Sequence, residues 1–152
     1  MDDYGKRFIC DGMLGKLCKL MRMCGIDTAY SNRGRSIIIE AKRDNRIVLT
    51  KNTLLKNKNG VHFLESTDPA VQLKNILIYY SLRNEIKLFS RCIECNCRLQ
   101  VVDKETVKDK IPYFTYKNFK EFAQCPQCRK VYWKGSHYKN MKKKVDEIIG
   151  GL

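Results

Sequence analysis

The sequence predicts an α/β protein, a parallel sheet flanked by helices, with a smaller cysteine-rich unit behind it. Three observations carry that expectation. Short apolar runs alternate with amphipathic stretches over the first ninety residues, at the spacing of βαβ units. Near residue 89 the alternation stops and cysteines appear in pairs. From the same point lysines and aromatic residues become dense. The chain therefore divides at 1–88 and 89–152.

The elements follow in order. "RFIC" (7–10) reads as a short buried strand. "GMLGKLCKLMRMCG" (12–25) has helical period, with Leu14, Leu17, Cys18, Met21 and Cys24 on one face and Gly25 as terminator. Lys16, Lys19 and Arg22 share the opposite face with no acid among them. "DTAY" (27–30) is a second strand and "RSIIIEAKR" (35–43) a short helix, although its isoleucine run also suits a strand. "RIVLT" (46–50) and "VHFL" (61–64) are the third and fourth strands. The stretch at 67–84 opens with Asp68 as cap and Pro69 at the first helical position, and Leu73, Ile76, Leu77 and Tyr80 give it an apolar stripe. "KNMKKKVDEIIGGL" is a basic terminal helix expected to fray at Gly150 and Gly151.

Apolar content of 43% supports a packed core. The net charge of +14, with a pI near 9.5, exceeds what solubility requires and points to an anionic partner, nucleic acid before membrane surface. Both halves share the excess. Residues 1–90 carry 16 basic and 9 acidic side chains and residues 91–152 carry 14 and 7, so each nets +7, the second in fewer residues. The start "MDDYGKRFIC" lacks an apolar signal region, and no apolar run approaches a membrane span. Eight cysteines in that setting are expected as thiols in a reducing intracellular compartment, the cytoplasm, with metal binding favoured over disulfides. There is no glycine-rich nucleotide loop and no Ser-His-Asp pattern.

"RCIECNC" and "AQCPQCRKVYW" supply Cys92-x-x-Cys95 and Cys125-x-x-Cys128. Two such turns place four thiolates around one ion, which suits tetrahedral Zn²⁺ in a structural role, because four sulfurs leave no open position. The gap between the pairs is longer than in a compact motif, so residues 99–124 must form strands or a helix that return the chain. Cys97 stands close enough to compete as a ligand. Cys10, Cys18 and Cys24 read as small buried apolar residues.

Between and after the pairs come "YFTYKNFKEF" and "KVYWKGSHYKNMKKK". Rings interleaved with lysine are what single-stranded nucleic acid binding uses. Phe114, Phe119 and Phe122 fit packing and ligand contact equally. Tyr138, with Lys134 beside it, favours ligand contact, and His137 is an exposed surface residue rather than a general base.

Asp11 follows the first strand directly. Taken alone it reads first as an N-cap, and the functional reading beside it is a metal-binding carboxylate at the sheet's carboxyl edge. Together "DGMLGKLCKLMRMCGIDTAY", "VLTKN", "LFSRCIECNCRL" and "CPQCRKVYWKGSHYKNM" resemble the Mut-seven C-terminal RNase domain family over roughly residues 7–141. That resemblance implies a PIN-like nuclease fold followed by a zinc ribbon. It further implies a ribonuclease in which clustered acids hold Mg²⁺ or Mn²⁺. Asp11 matches the family's first acid. Where members commonly read Thr-Arg-Asp, this chain has Thr50-Lys51-Asn52, so an amide replaces the strand-end acid. The family also tends to carry acids before its second helix, where "SNRGRS" (31–36) is basic and polar, with Arg33 and Arg35. Glu40 and Asp68 remain as acids able to complete a site.

Three functions compete. The first is a divalent-metal endoribonuclease using Asp11, Thr50 and Asn52 with Glu40 or Asp68. The second is an RNA-binding protein with an impaired centre. It would grip RNA through Lys16, Lys19, Arg22, Arg33, Arg35 and Lys51, and through Arg91, Lys134, His137 and Tyr138 of the ribbon. The third is an interaction protein docking on a protein or ribonucleoprotein partner.

Overall fold

A computed structural model describes residues 5–150. The expected fraying at Gly151 lies outside the described residues. Four strands form one wholly parallel sheet in the order β2-β1-β3-β4: β1 (Phe8–Asp11), β2 (Thr28–Ser31), β3 (Ile47–Thr50) and β4 (Val61–Phe63). The centre of the sheet belongs to β1, which pairs with both β2 and β3. All four of its residues are accordingly buried, as a strand covered on both faces requires.

Side chains alternate between two helical layers. Phe8, Cys10 and Leu49 enter the main core with α1 (Gly15–Met23) and α3 (Pro69–Tyr79). Ile9 and Val48 point the other way, onto Ile37 and Ala41 of α2 (Ile37–Asp44) and onto Leu55. The isoleucine run is therefore helical. Ile37 is fully buried while Ile39 is 71% exposed, a helix period rather than strand alternation. The first two helices are each preceded by a 3-10 turn, Gly12–Leu14 and Gly34–Ser36, so each α-helix begins later than its periodicity suggests.

The third helix also ends early. Ser81 takes a left-handed backbone (φ 55°), and a 3-10 turn at Arg83–Glu85 follows. Gly25, at φ +80°, lets this return loop approach, and Lys87 N–H donates to Cys24 O at 2.9 Å.

Beyond residue 89 the sheet is antiparallel, in the order β5-β6-β7: β5 (Gln100–Val102), β6 (Phe122–Gln124) and β7 (Val131–Tyr132). The long gap between the cysteine pairs contains β5, two short helices, α4 (Lys104–Val107) and α5 (Tyr113–Asn118), and β6. A small core of Val107, Ile111 and Phe122 holds it together. The basic terminal helix α6 (Ser136–Gly150) turns back to α3. Met141, Val145, Ile148 and Ile149, at i, i+4, i+7 and i+8, form the stripe it presents to the main core. Cys92, Ile93, Cys125 and Tyr132 belong to that same core. Among the described residues no helix is long and apolar enough to cross a membrane.

Candidate functional site

The last residues of three strands, Asp11, Ser31 and Thr50, meet at the carboxyl edge of the sheet, and all are buried. Ligands collect at this edge in open parallel sheets. Alternation gives the three one direction. Asp11 shares a face with Ile9, Ser31 with Ala29 and Thr50 with Val48, which is the face covered by α2. Glu40 comes from α2, one turn after the buried Ile37, and meets them there.

Hydrogen bonds join these groups in two separate pairs. The Thr50 hydroxyl donates to Asp11 Oδ2, and Thr50 Oγ1 accepts the Asn52 N–H at 2.9 Å. The other Asp11 oxygen accepts Met13 N–H at 3.1 Å, so the carboxylate also caps the turn that starts α1. Ser31, in register with Asp11, donates to Glu40 Oε2 at 2.6 Å. Arg33 Nη1 stands 3.7 Å from Glu40 Oε1, with 73% of its side chain exposed. Asp11 and Glu40 thus share one strand edge and one face through Ser31, whose hydroxyl no sequence motif singled out. Its position as the last residue of β2 was the available signal.

The other expected residues stand elsewhere or are committed to other partners. The Asn52 side chain accepts Leu54 N–H at 3.0 Å and caps the turn that buries Leu55. Asp68 is exposed and caps α3, accepting Ala70 N–H at 2.9 Å. The Lys51 ammonium lies among three backbone carbonyls, of Leu64, Glu65 and Ser66, closest at 2.7 Å to Glu65. Arg22 donates to the carbonyls of Thr28, Ile93 and Glu94 and ties the sheet to the first cysteine turn. Lys16 and Arg35 are exposed, and Lys19 stands 4.0 Å from Glu94. Arg91 is buried, donating to Gly25 O and Asn96 O. His137 is exposed at one edge of the Phe89 ring, and half-buried Tyr138 lies against the same ring, with Lys134 Nζ 5.8 Å from the Tyr138 centroid.

The cysteine site is built from two turns of matching geometry. Asn96 N–H donates to Cys92 O and Arg129 N–H to Cys125 O. Cys92 N–H donates to Cys97 O and Cys125 N–H to Lys130 O. Asn96 and Arg129 both take left-handed backbones, φ 66° and 69°. The four sulfurs of Cys92, Cys95, Cys125 and Cys128 lie within 4.8 Å of one another. A tetrahedron of about 2.3 Å zinc–sulfur bonds sets them about 3.8 Å apart, so the four thiols can hold a metal ion such as zinc. Cys97 lies outside this group. Its thiol faces Gln127 Oε1 at 3.2 Å. Burial alone would raise the Cys125 thiol, yet the N–H groups of Cys128 and Gln127 aimed at its sulfur hold it down, to about 7. The neighbouring Cys95 thiol, by contrast, is pushed up to about 12, by burial first and then by the other sulfurs. The Tyr132 hydroxyl donates to Cys92 Sγ at 3.3 Å and accepts Ile93 N–H, which fixes the first turn.

Among the described residues this is the one group of three or more potential ligands that converges, and no three carboxylates do. A cavity of about 1000 Å³ opens at the opposite, amino end of the strands beside Lys6, Arg7, Asp27 and Lys87. Arg7 there is paired with Asp27, which also receives Arg46.

A family model described as the Mut7-C RNAse domain matches residues 6–145. A curated Homo sapiens protein, "Exonuclease mut-7 homolog", is 30% identical over 102 residues, covering 60% of this chain and 12% of that protein's length. No solved structure matches the chain.

Proposed function

The chain belongs to the Mut7-C RNAse domain family, and from that premise we propose that it is a PIN-like, divalent-metal-dependent endoribonuclease working at the carboxyl edge of its parallel sheet. The observation that carries this reading is the meeting of Asp11, Ser31 and Thr50 on one face of that edge, with Glu40 delivered from α2. Asp11 and Glu40 would hold Mg²⁺ or Mn²⁺. One or two protein carboxylates suffice for such an ion when substrate phosphates complete its shell. The chemistry it supplies is a nucleophilic water at neutral pH and a counter-charge for the leaving oxygen.

The chain's own groups do the positioning. Thr50 fixes the Asp11 carboxylate, Asn52 N–H fixes Thr50, and Ser31 orients Glu40. Exposed Arg33 stands at the rim to meet a phosphate, with Arg35 beside it and Lys16 exposed on α1. The four-cysteine site would carry a structural Zn²⁺ in the unit 89–152, and the unit 1–88 would carry the chemistry, in a reducing cytoplasmic setting. The human relative is called an exonuclease, and the chain spans 12% of its length, so the direction of cutting is an outcome of the test.

A second reading, an RNA-binding protein with an impaired centre, is favoured by one observation. Asn52 replaces an acid and its amide is committed to a cap. Single-turnover cleavage of RNA labelled at either end, with Mn²⁺, Mg²⁺ or neither, decides between the two. Metal-dependent internal cutting lost in Asp11→Asn supports the nuclease. A ladder growing from one end makes it an exonuclease. Equal cutting by wild type and Asp11→Asn refutes the assignment. No cutting in wild type but cutting in Asn52→Asp establishes the binder.

A further inference from the structure

The segment between the cysteine pairs packs its own core and has two rings left over. Tyr116 and Phe119 pack around Val107, Ile111 and Phe122, with Trp133 beside them. Thr115 is buried and Tyr116 half-buried, so the outward positions of α5 fall to Tyr113, Phe114, Lys117 and Asn118. Tyr113 and Phe114 are 71% and 70% exposed. Two adjacent large rings left in water by a finished core form a candidate contact surface.

The charge around them narrows the partner. Lys117 Nζ lies 5.4 Å from the Tyr113 ring centre, which leaves the rest of that ring exposed. Lys104 and Lys108 lie over the Tyr116 ring at 4.6 and 5.1 Å. Residues 103–120 hold five lysines and three acids. Two of those acids are engaged locally, Asp103 as the cap of α4 and Glu105 as acceptor of the Tyr116 hydroxyl. Lysine is depleted from the cores of protein–protein interfaces. Rings and ammonium groups interleaved at this density suit bases and phosphates, with stacking that tolerates any sequence.

We infer that α5 is a stacking platform for single-stranded RNA, Tyr113 and Phe114 each taking one base while Lys117 and Lys110 meet the flanking phosphates. This rests on the reading of the chain as an RNA-acting protein. It adds a binding surface on the cysteine-rich unit, separate from the Asp11 edge.

The test is anisotropy of labelled oligouridine with the zinc-loaded full chain, without added Mg²⁺ or Mn²⁺, over a range of salt. Tyr113→Ala and Phe114→Ala each weaken binding by about 5- to 150-fold, the range for one stacked base, with the salt slope unchanged. Tyr113→Phe and Phe114→Tyr keep the ring and restore affinity. Lys117→Ala lowers the log–log salt slope by about 0.7. Unchanged melting temperatures show that the losses are not unfolding. A double alanine variant that binds as wild type does overturns the inference and assigns the rings to a protein partner, while RNA binding itself stands. Equal losses on heparin, a polyanion without bases, overturn it too. A wild-type chain that binds no RNA removes the wider reading and this inference together.

Discussion

Replacing Asp27 by asparagine tests what holds the two sheets together. Asp27 precedes β2, and its carboxylate receives Arg46 at 2.7 Å, Arg7 at 3.3 Å and Asn96 Nδ2 at 2.7 Å, with Arg91 4.0 Å away. Asn96 lies in the first cysteine turn, and its Oδ1 accepts Thr28 N–H at 3.0 Å. One carboxylate thus joins three strand-end segments to the first cysteine turn. At an effective dielectric of 20, the Arg46 contact alone is worth about 6 kcal/mol before desolvation. Removing one partner of a fully buried pair costs about 3–5 kcal/mol. Arg46 is 10% exposed but Asp27 is 21% exposed, so the loss here scales down to about 2–3 kcal/mol. Asparagine keeps the shape and removes the charge.

Thermal and urea unfolding measure that loss, which amounts to about 5–10 °C in melting temperature for a chain of this size. The pH dependence supplies a second readout. Burial alone would raise the Asp27 pKa, but hydrogen bonds from Arg46 and Asn96 and the charges of Arg46 and Arg91 outweigh it and hold it below the usual aspartate range. A depressed pKa stabilises above the unfolded aspartate value of about 3.9, and the stabilisation is lost as pH falls through the folded value. The gap between wild type and Asp27→Asn is therefore full at neutral pH and closes below about pH 4. A variant that melts within a degree of wild type at pH 7, or a gap that widens in acid, refutes the reasoning.

Other perturbations have equally direct outcomes. Metal analysis of the purified chain finds zinc in wild type and in Cys97→Ser but not in Cys125→Ser, and zinc loss in Cys97→Ser would refute the four-ligand assignment. Gly25→Ala would put a Cβ 2.5 Å from Lys87 O and Ser90 Oγ at a positive φ, so urea unfolding shows a loss of about 2 kcal/mol or more. Leu77→Ala, in the 1%-exposed core of α3, costs about 2–5 kcal/mol by the same measurement while leaving the Asp11 edge intact.

Whatever a local period encodes was legible in the sequence. The four strands and the three helices of the first unit are found within a few residues of their expected bounds, because central strands are continuously apolar and the helices repeat every turn. The convergence of the four cysteines was legible because two x-x spacings permit only a tight turn. What escaped was long-range. The stripe of α6 is hidden among lysines until α3 supplies a surface for it. Arg22 and Lys51 read as exposed cations, yet their partners are carbonyls 71 and 14 residues away that no local pattern announces. The placing of Asp11 beside Ser31, which bonds Glu40, depends on parallel register, which follows from the sheet order and not from any segment alone.

Asn52 gathers these arguments into one substitution. Its amide oxygen caps Leu54 N–H, its N–H holds the Thr50 hydroxyl, and Thr50 in turn holds Asp11. Aspartate is as good a cap as asparagine and nearly isosteric, so Asn52→Asp leaves this chain of hydrogen bonds in place and changes only the charge at the strand end. If position 52 faces the ion, a third carboxylate beside Asp11 and Glu40 strengthens Mn²⁺ binding by about tenfold or more, since affinity for hard cations follows the charge of the ligand set. Calorimetric titration of Mn²⁺ into wild type and Asn52→Asp, each zinc-loaded, reads this without reference to cleavage. Equal affinities would mean that residue 52 serves the turn alone, and the case for an impaired centre would lose its foundation. A gain in Mn²⁺ affinity accompanied by weaker RNA binding would mean that the amide favours holding RNA at the expense of cutting it.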